Sequence, residues 1–165
     1  MGSESDLFQR AVIALSDQDF NRAEKLTKEL LELDQRNIDG WNLLANIYQQ
    51  KGKTDQAIQA AKKTTELDPE DIQNWNNLGY LYLLQKNWVE GERCYAKAAT
   101  LPNPTPTIFL NHAWALIELG KQEQAEKRLR QALDQSLEDT LFDDLETNEH
   151  YIKLRPLFKK IRKQS

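Results

Sequence analysis

The chain has 165 residues, 29% of them charged and 39% hydrophobic, with a formal net charge of −4. That length admits one domain with a core or one short repeat array, and the acidic balance speaks against nucleic-acid binding by the chain as a whole, which normally leaves a basic footprint. No run approaches the roughly 18 apolar residues that a membrane span needs, and the start MGSESDLFQR shows neither a secretory pattern nor, with Asp6 where Ser or Thr is wanted, a lipidation signal.

Taken in chain order, the apolar residues predict paired helices that recur every 34 residues. The start is a degenerate copy, with Leu7, Ala11, Ala23 and Leu33 in register. The next copy carries Trp41, Leu44, Ala45, Tyr48, Ala57 and Pro69, and the one after it Trp75, Leu78, Gly79, Tyr82, Gly91 and Ala98. A looser copy follows, with Phe109, His112, Ala113, Leu116, Ala125 and Ala132. Trp75, Leu78, Gly79 and Tyr82 fall at i, i+3, i+4 and i+7, one face of a helix. The glycines in QKGKTD and ELGKQE read as helix stops. The prolines of LDPED and LPNPTP read as junctions between copies.

Spacing and residue types resemble the tetratricopeptide repeat, whose opening is Trp-x2-Leu-Gly-x2-Tyr followed by spaced small residues and Pro. The resemblance covers roughly residues 4–135. It implies an all-α, right-handed α-solenoid of three clear helix pairs plus one degenerate pair, with repeats at about 4–37, 38–71, 72–105 and 106–135. Residues 136–165 are expected to form C-terminal capping helices on the array of residues 1–135, the last starting at Pro156. In this tail seven acids between 134 and 149, Glu138 and Asp139 among them, precede six bases between 150 and 165. The two blocks are expected to pair with each other, which leaves the basic run KKIRK as a weak nucleic-acid signal.

Catalytic chemistry finds no support in the residue pattern. His112, His150 and Cys94 form no metal-site spacing, and no phosphate loop or nucleophile elbow is present. His112 sits in a slot that holds Leu in the other copies, so a hydrogen-bonded core histidine is expected there; Cys94 reads as a small packing residue. A single cysteine allows no internal disulfide, and a reducing, cytoplasmic location is expected. No enzyme activity, cofactor or metal is assigned.

The resemblance implies that partners are held on a concave face built from the first helix of each pair. Helix geometry places the residues one, five and eight beyond each Trp to one side of the packed face. These columns contain Asn42, Asn46 and Gln49, then Asn76, Tyr80 and Leu83, then Leu110, Trp114 and Ile117, with Asn77 and Asn111 adjoining. Tyr80, Leu83, Leu110, Trp114 and Ile117 are expected to form an exposed apolar patch, beside asparagines whose amides donate and accept to a peptide backbone. Family members that hold chaperone C-termini place Lys and Arg in these columns; here Asn, Gln, Leu, Tyr and Trp stand there, so that ligand is not expected. The reading is a non-catalytic protein-binding adaptor or assembly factor. Its rival is a self-associating structural subunit; nucleic-acid binding through the tail ranks last.

Overall fold

The computed structural model of the chain describes residues 3–135 and 140–163, excepting the side chains of residues 140–142 and 144. Glu138 and Asp139 of the acidic block therefore lie outside the described residues, as do the side chains of Leu141, Phe142 and Asp144. All regular structure among the described residues is helical, and the chain is an all-α helical repeat. Four helix pairs run in order: α1 (Glu4–Ser16) with α2 (Phe20–Leu33), α3 (Ile38–Gln50) with α4 (Thr54–Leu67), α5 (Ile72–Leu84) with α6 (Trp88–Ala98), and α7 (Pro106–Glu118) with α8 (Gln122–Gln135). The helix α9 (Thr140–Thr147), a 3₁₀ segment (Glu149–Leu154) and α10 (Arg155–Arg162) follow, with Pro156 in the first turn of α10.

Each pair is built by the same local devices, thirty-four residues apart. The turn between paired helices needs one residue in the left-handed region, and Gln18, Gly52, Lys86 and Gly120 fill that place, with φ of 60°, 69°, 59° and 73°. Only glycine takes that conformation without steric cost, so the two non-glycine copies each carry local strain on the order of 1 kcal/mol. The tryptophans do more than stack. Trp41 Nε1–H donates to the Gln35 carbonyl at 2.9 Å and Trp75 Nε1–H to the Pro69 carbonyl at 2.8 Å, pinning the loop that enters each helix. Phe109 has no such donor, and its entry loop instead carries Pro102, Pro104 and Pro106.

Packing divides the chain into two compact units, residues 1–81 and 82–165. In the first, Leu7, Ala11, Ala14, Ala23, Leu26, Leu30, Leu43 and Ile47 form a continuous core, with Phe8 and Leu15 packed against it. Small residues ease how closely helices approach: a Cβ on Gly40 would lie 3.0 Å from Leu31 Cδ2, a fit tight enough that Leu31 would have to give way to a side chain there. Glu24 of α2 accepts from Lys28 Nζ and, across to the end of α3, from Lys51 Nζ, both at 2.6 Å. These two ammonium groups hold the Glu24 carboxyl down at about 2.

In the second unit α7 is the central helix, buried on nearly all sides from Ile108 to Leu116. The helices α6 and α8 flank it and the 3₁₀ segment packs against it, with α10 resting on that segment and on α8. The tail bases correct one expectation. Lys153 pairs with Glu118 of α7, and Lys160 with Glu126 of α8 at 2.8 Å, so these two ties fasten the cap to the last helix pair rather than to the acidic block beside it.

Candidate partner-binding groove

Five of the expected inner-face residues come together in the first unit. Asn42, Asn46 and Gln49 on α3, with Asn77 and Tyr80 on α5, line a groove of about 500 Å³ whose walls also include Phe8 of α1 and Asp39. Helical spacing brings Asn42, Asn46 and Gln49 onto one face of α3, and the packing of α5 sets Asn77 and Tyr80 opposite. Asn46 and Gln49 are exposed; Asn42, Asn77 and Tyr80 are half-buried. Asp39 is the one charged residue of the lining. An amide-rich wall with one carboxylate and no cation suits a peptide backbone carrying neutral or basic side chains, and it suits a free carboxylate poorly.

The amides are already ordered by one another. Gln73 Nε2 donates to Asn77 Oδ1 at 2.9 Å, Asn77 Nδ2 to Asn42 Oδ1 at 3.5 Å, and Asn42 Nδ2 to Asn74 Oδ1 at 3.4 Å. Asn74 ends the chain by donating to the carbonyls of Thr64 and Asp68, both at 3.2 Å, at the C-terminus of α4. Asn74 was not among the residues expected at this site. Its column reads Asp6, Gly40, Asn74, Ile108, and no pattern in it marks position 74 as buried. Asn74 is fully buried, so Asn74→Ala strands acceptors at the helix end and releases Asn42. Urea unfolding is expected to show a loss of about 1–3 kcal/mol; an unchanged midpoint would mean that the relay carries no stability.

The other expected site residues are placed differently. Leu83 and Leu110 are 1% exposed and Trp114 4%, so the exposed apolar patch does not exist as expected. Asn111, 4% exposed, is not a surface amide either: its Oδ1 accepts from the Tyr151 hydroxyl at 2.6 Å. For Asn111 and Trp114 the reason is the cap. The 3₁₀ segment stacks His150 on the Trp114 indole, with centroids 4.8 Å apart, and sets Tyr151 edge-on to it at 5.8 Å. Trp88 closes the cluster at 5.9 Å. Ile117 and Asn76 are half-buried, and neither lines the groove.

A larger cleft of about 760 Å³ lies among α2, α3 and α4, rimmed by Lys28, Glu32, Asp55 and Lys63. Its floor is Trp41, Leu44 and Tyr48, the repeat-stacking face itself, and its rim balances two cations against two anions. It follows from how the repeats pack, and it selects no ligand charge. His112 is buried, and its Nε2 lies 3.3 Å from Glu92 Oε1. Desolvation pushes its pKa down to about 4, so the ring is neutral and Nε2–H donates to Glu92. No group of three or more metal-ligating side chains occurs among the described residues, and no described helix is long and apolar enough to cross a membrane.

Paired helices in repeated register, with an amide-lined groove between successive first helices, define a helical-repeat protein-interaction module. Two family models described as tetratricopeptide repeat match residues 14–79 and 106–139, and the chain belongs to the tetratricopeptide repeat family. That family is in general a non-catalytic interaction scaffold. A comparison with curated proteins found no match. Among solved structures, a crystal structure of MamA protein is similar over 95% of this chain and 88% of its own, with TM-score 0.77 and 16% identity. A thermophilic TPR protein of Thermus thermophilus is similar over 93% and 82%, with TM-score 0.68 and 22% identity. MamA 41-end from Desulfovibrio magneticus RS-1 is similar over 80% and 75%, with TM-score 0.72 and 14% identity. At these identities the likeness is one of fold.

Proposed function

We propose that the chain is a non-catalytic adaptor or assembly factor that holds a segment of a partner protein in the groove between α3 and α5. In this reading residues 1–135 are the repeat array, residues 136–165 cap it, and the cytoplasm is where it works. The observation that carries the proposal is the groove lining: two exposed amides, Asn46 and Gln49, two partly buried ones, Asn42 and Asn77, and the Tyr80 ring, within one space of about 500 Å³. Asn46 and Gln49 make no side-chain hydrogen bond among those described, so their donors and acceptors are open to a peptide backbone. Tyr80 supplies a rigid amphipathic anchor that loses little conformational entropy on binding.

The test is capture from source lysate on immobilised protein, wild type against Asn46→Ala with Tyr80→Ala. A specific partner held by the wild type should be lost at least about tenfold by the double variant, a cost of ~1.4 kcal/mol. Both positions lie outside the buried core, so circular dichroism should show the variant folded. Equal capture by a folded double variant would sink the proposal.

A further inference from the structure

The cap shows what one inner-face site of this chain accepts. On α7, Asn111 and Trp114 lie three residues apart, and the chain's own His150–Tyr151 occupies them. The imidazole lies against the indole with 29° between the planes, Tyr151 meets the same ring edge-on at 89°, and its hydroxyl donates to Asn111 Oδ1. A flat ring followed by a phenol thus satisfies an amide and an aromatic platform together.

Thirty-four residues earlier the same register holds Asn77 and Tyr80, again an amide and an aromatic three apart on the first helix of a pair. These two are half-buried, and both line the groove of the first unit. The Asn77 amide is already oriented: Nδ2 donates to Asn42 and Oδ1 accepts from Gln73, which leaves the second lone pair of Oδ1 for one more donor. Charge agrees with this. The lining carries Asp39 and no Lys or Arg; the segment that occupies the equivalent pair has one acid before it, Glu149, and two bases after it, Lys153 and Arg155, so its C-terminal flank is the side that suits Asp39.

We propose that the groove at Asn77 and Tyr80 recognises a partner-protein segment presenting a tyrosine directly preceded by a flat ring, with neutral or basic flanks, as His150–Tyr151 presents itself to Asn111 and Trp114. This rests on the groove reading above and names the chemistry of its ligand. The tyrosine hydroxyl donates to Asn77 Oδ1, the preceding ring stacks on Tyr80, and a basic flank faces Asp39.

The probe is a capped, fluorescently labelled peptide of residues 148–155 carrying Glu149→Gln, titrated into the full chain by anisotropy, with versions carrying Tyr→Phe and Tyr→Ala at the position of Tyr151. The Tyr peptide should bind roughly three- to tenfold more tightly than the Phe peptide, the worth of one neutral hydrogen bond. Asn77→Ala should abolish that preference, as a double-mutant cycle requires. Tyr80→Ala should lose binding, and Tyr80→Phe should restore it, which separates recognition from misfolding. A Tyr preference that survives Asn77→Ala would place the peptide at the cap's own site and overturn the proposal. Peptides that bind alike with Tyr, Phe or Ala, through a surface lost in Asn46→Ala with Tyr80→Ala, would overturn it and leave the adaptor reading standing. No peptide binding, together with partner capture that the groove variant leaves unchanged, removes both. Dimerisation of the chain that both Tyr80→Ala and Tyr151→Phe abolish would put a second copy in the groove, and so also overturns it.

Discussion

Trp114→Ala is expected to lower the stability of the folded chain by about 3–5 kcal/mol, the usual cost of emptying a buried aromatic site. Trp114 is the hub of a ring cluster with Trp88, His150 and Tyr151 around it, and Tyr151 is in turn the donor to buried Asn111. Removing the indole opens a cavity under the 3₁₀ segment and weakens the attachment of the cap, which the Lys153–Glu118 and Lys160–Glu126 pairs alone hold poorly because both lysines are more than half exposed. Urea unfolding should show the lower midpoint, and near-ultraviolet circular dichroism should lose the tryptophan signal of the cluster. A loss below ~1 kcal/mol, against the cost expected of a buried tryptophan, would mean that the cap does not depend on Trp114. The consequence for binding studies is direct. A variant at Trp114 reads the integrity of the second unit, whereas one at Tyr80, half-buried and on the groove wall, tests the proposed recognition.

That contrast shows where the sequence was legible. The 34-residue register placed the helix pairs because buried positions recur in step: Leu44, Leu78 and His112 are all buried, as are the small residues Ala57, Gly91 and Ala125. It even runs deeper than the residue types, since Gln18 and Lys86 adopt the left-handed turn conformation that Gly52 and Gly120 advertise. The inner-face columns were legible where no later segment covers them. Asn42, Asn46, Gln49, Asn77 and Tyr80 line a groove as helix geometry requires. In the second unit the same columns hold Leu110, Asn111 and Trp114, all buried, the last two under the 3₁₀ segment. Column arithmetic cannot see that, because the contact joins residues about forty apart, through the pairing of Tyr151 with Asn111, without any repeat to announce it. Leu83 and Leu110 carried a hint, since Leu110 follows Asn42 and Asn76 in its column and Leu83 stands in one that is apolar except for Gln49, as covered positions allow. Asn74 was missed for the converse reason: a buried asparagine looks like a surface one until its partners, the Thr64 and Asp68 carbonyls, are seen.

His112 supplies the largest expected pH effect. Its slot holds Leu44 and Leu78 in the preceding repeats, so the ring is enclosed as a leucine would be, and desolvation drives its pKa from the ordinary 6.5 to about 4. The groups that face it do not reverse this. Glu92 accepts from Nε2 and favours the charged ring, but Arg128 and Lys121 oppose a proton, and the buried Nδ1 finds no acceptor among the described residues. The sign follows from linkage. Between pH 6.5 and 4 the unfolded chain binds the proton and the folded chain does not, so stability falls as pH falls through that window and the loss is complete near pH 4. The total is about 3 kcal/mol at most. Glu24 acts in a lower window: its carboxyl is depressed from 4.5 to about 2, and its contribution is present above 4.5 and fades below. The interval from pH 6.5 to 4.5 therefore isolates the histidine from that pair. Unfolding free energies measured across it should decline for the wild type and stay nearly level for His112→Leu, which puts the repeat's own residue back in the slot. A variant with the same slope as the wild type would place the acid sensitivity elsewhere, and would mean that the folded chain binds the His112 proton at least as readily as the unfolded one.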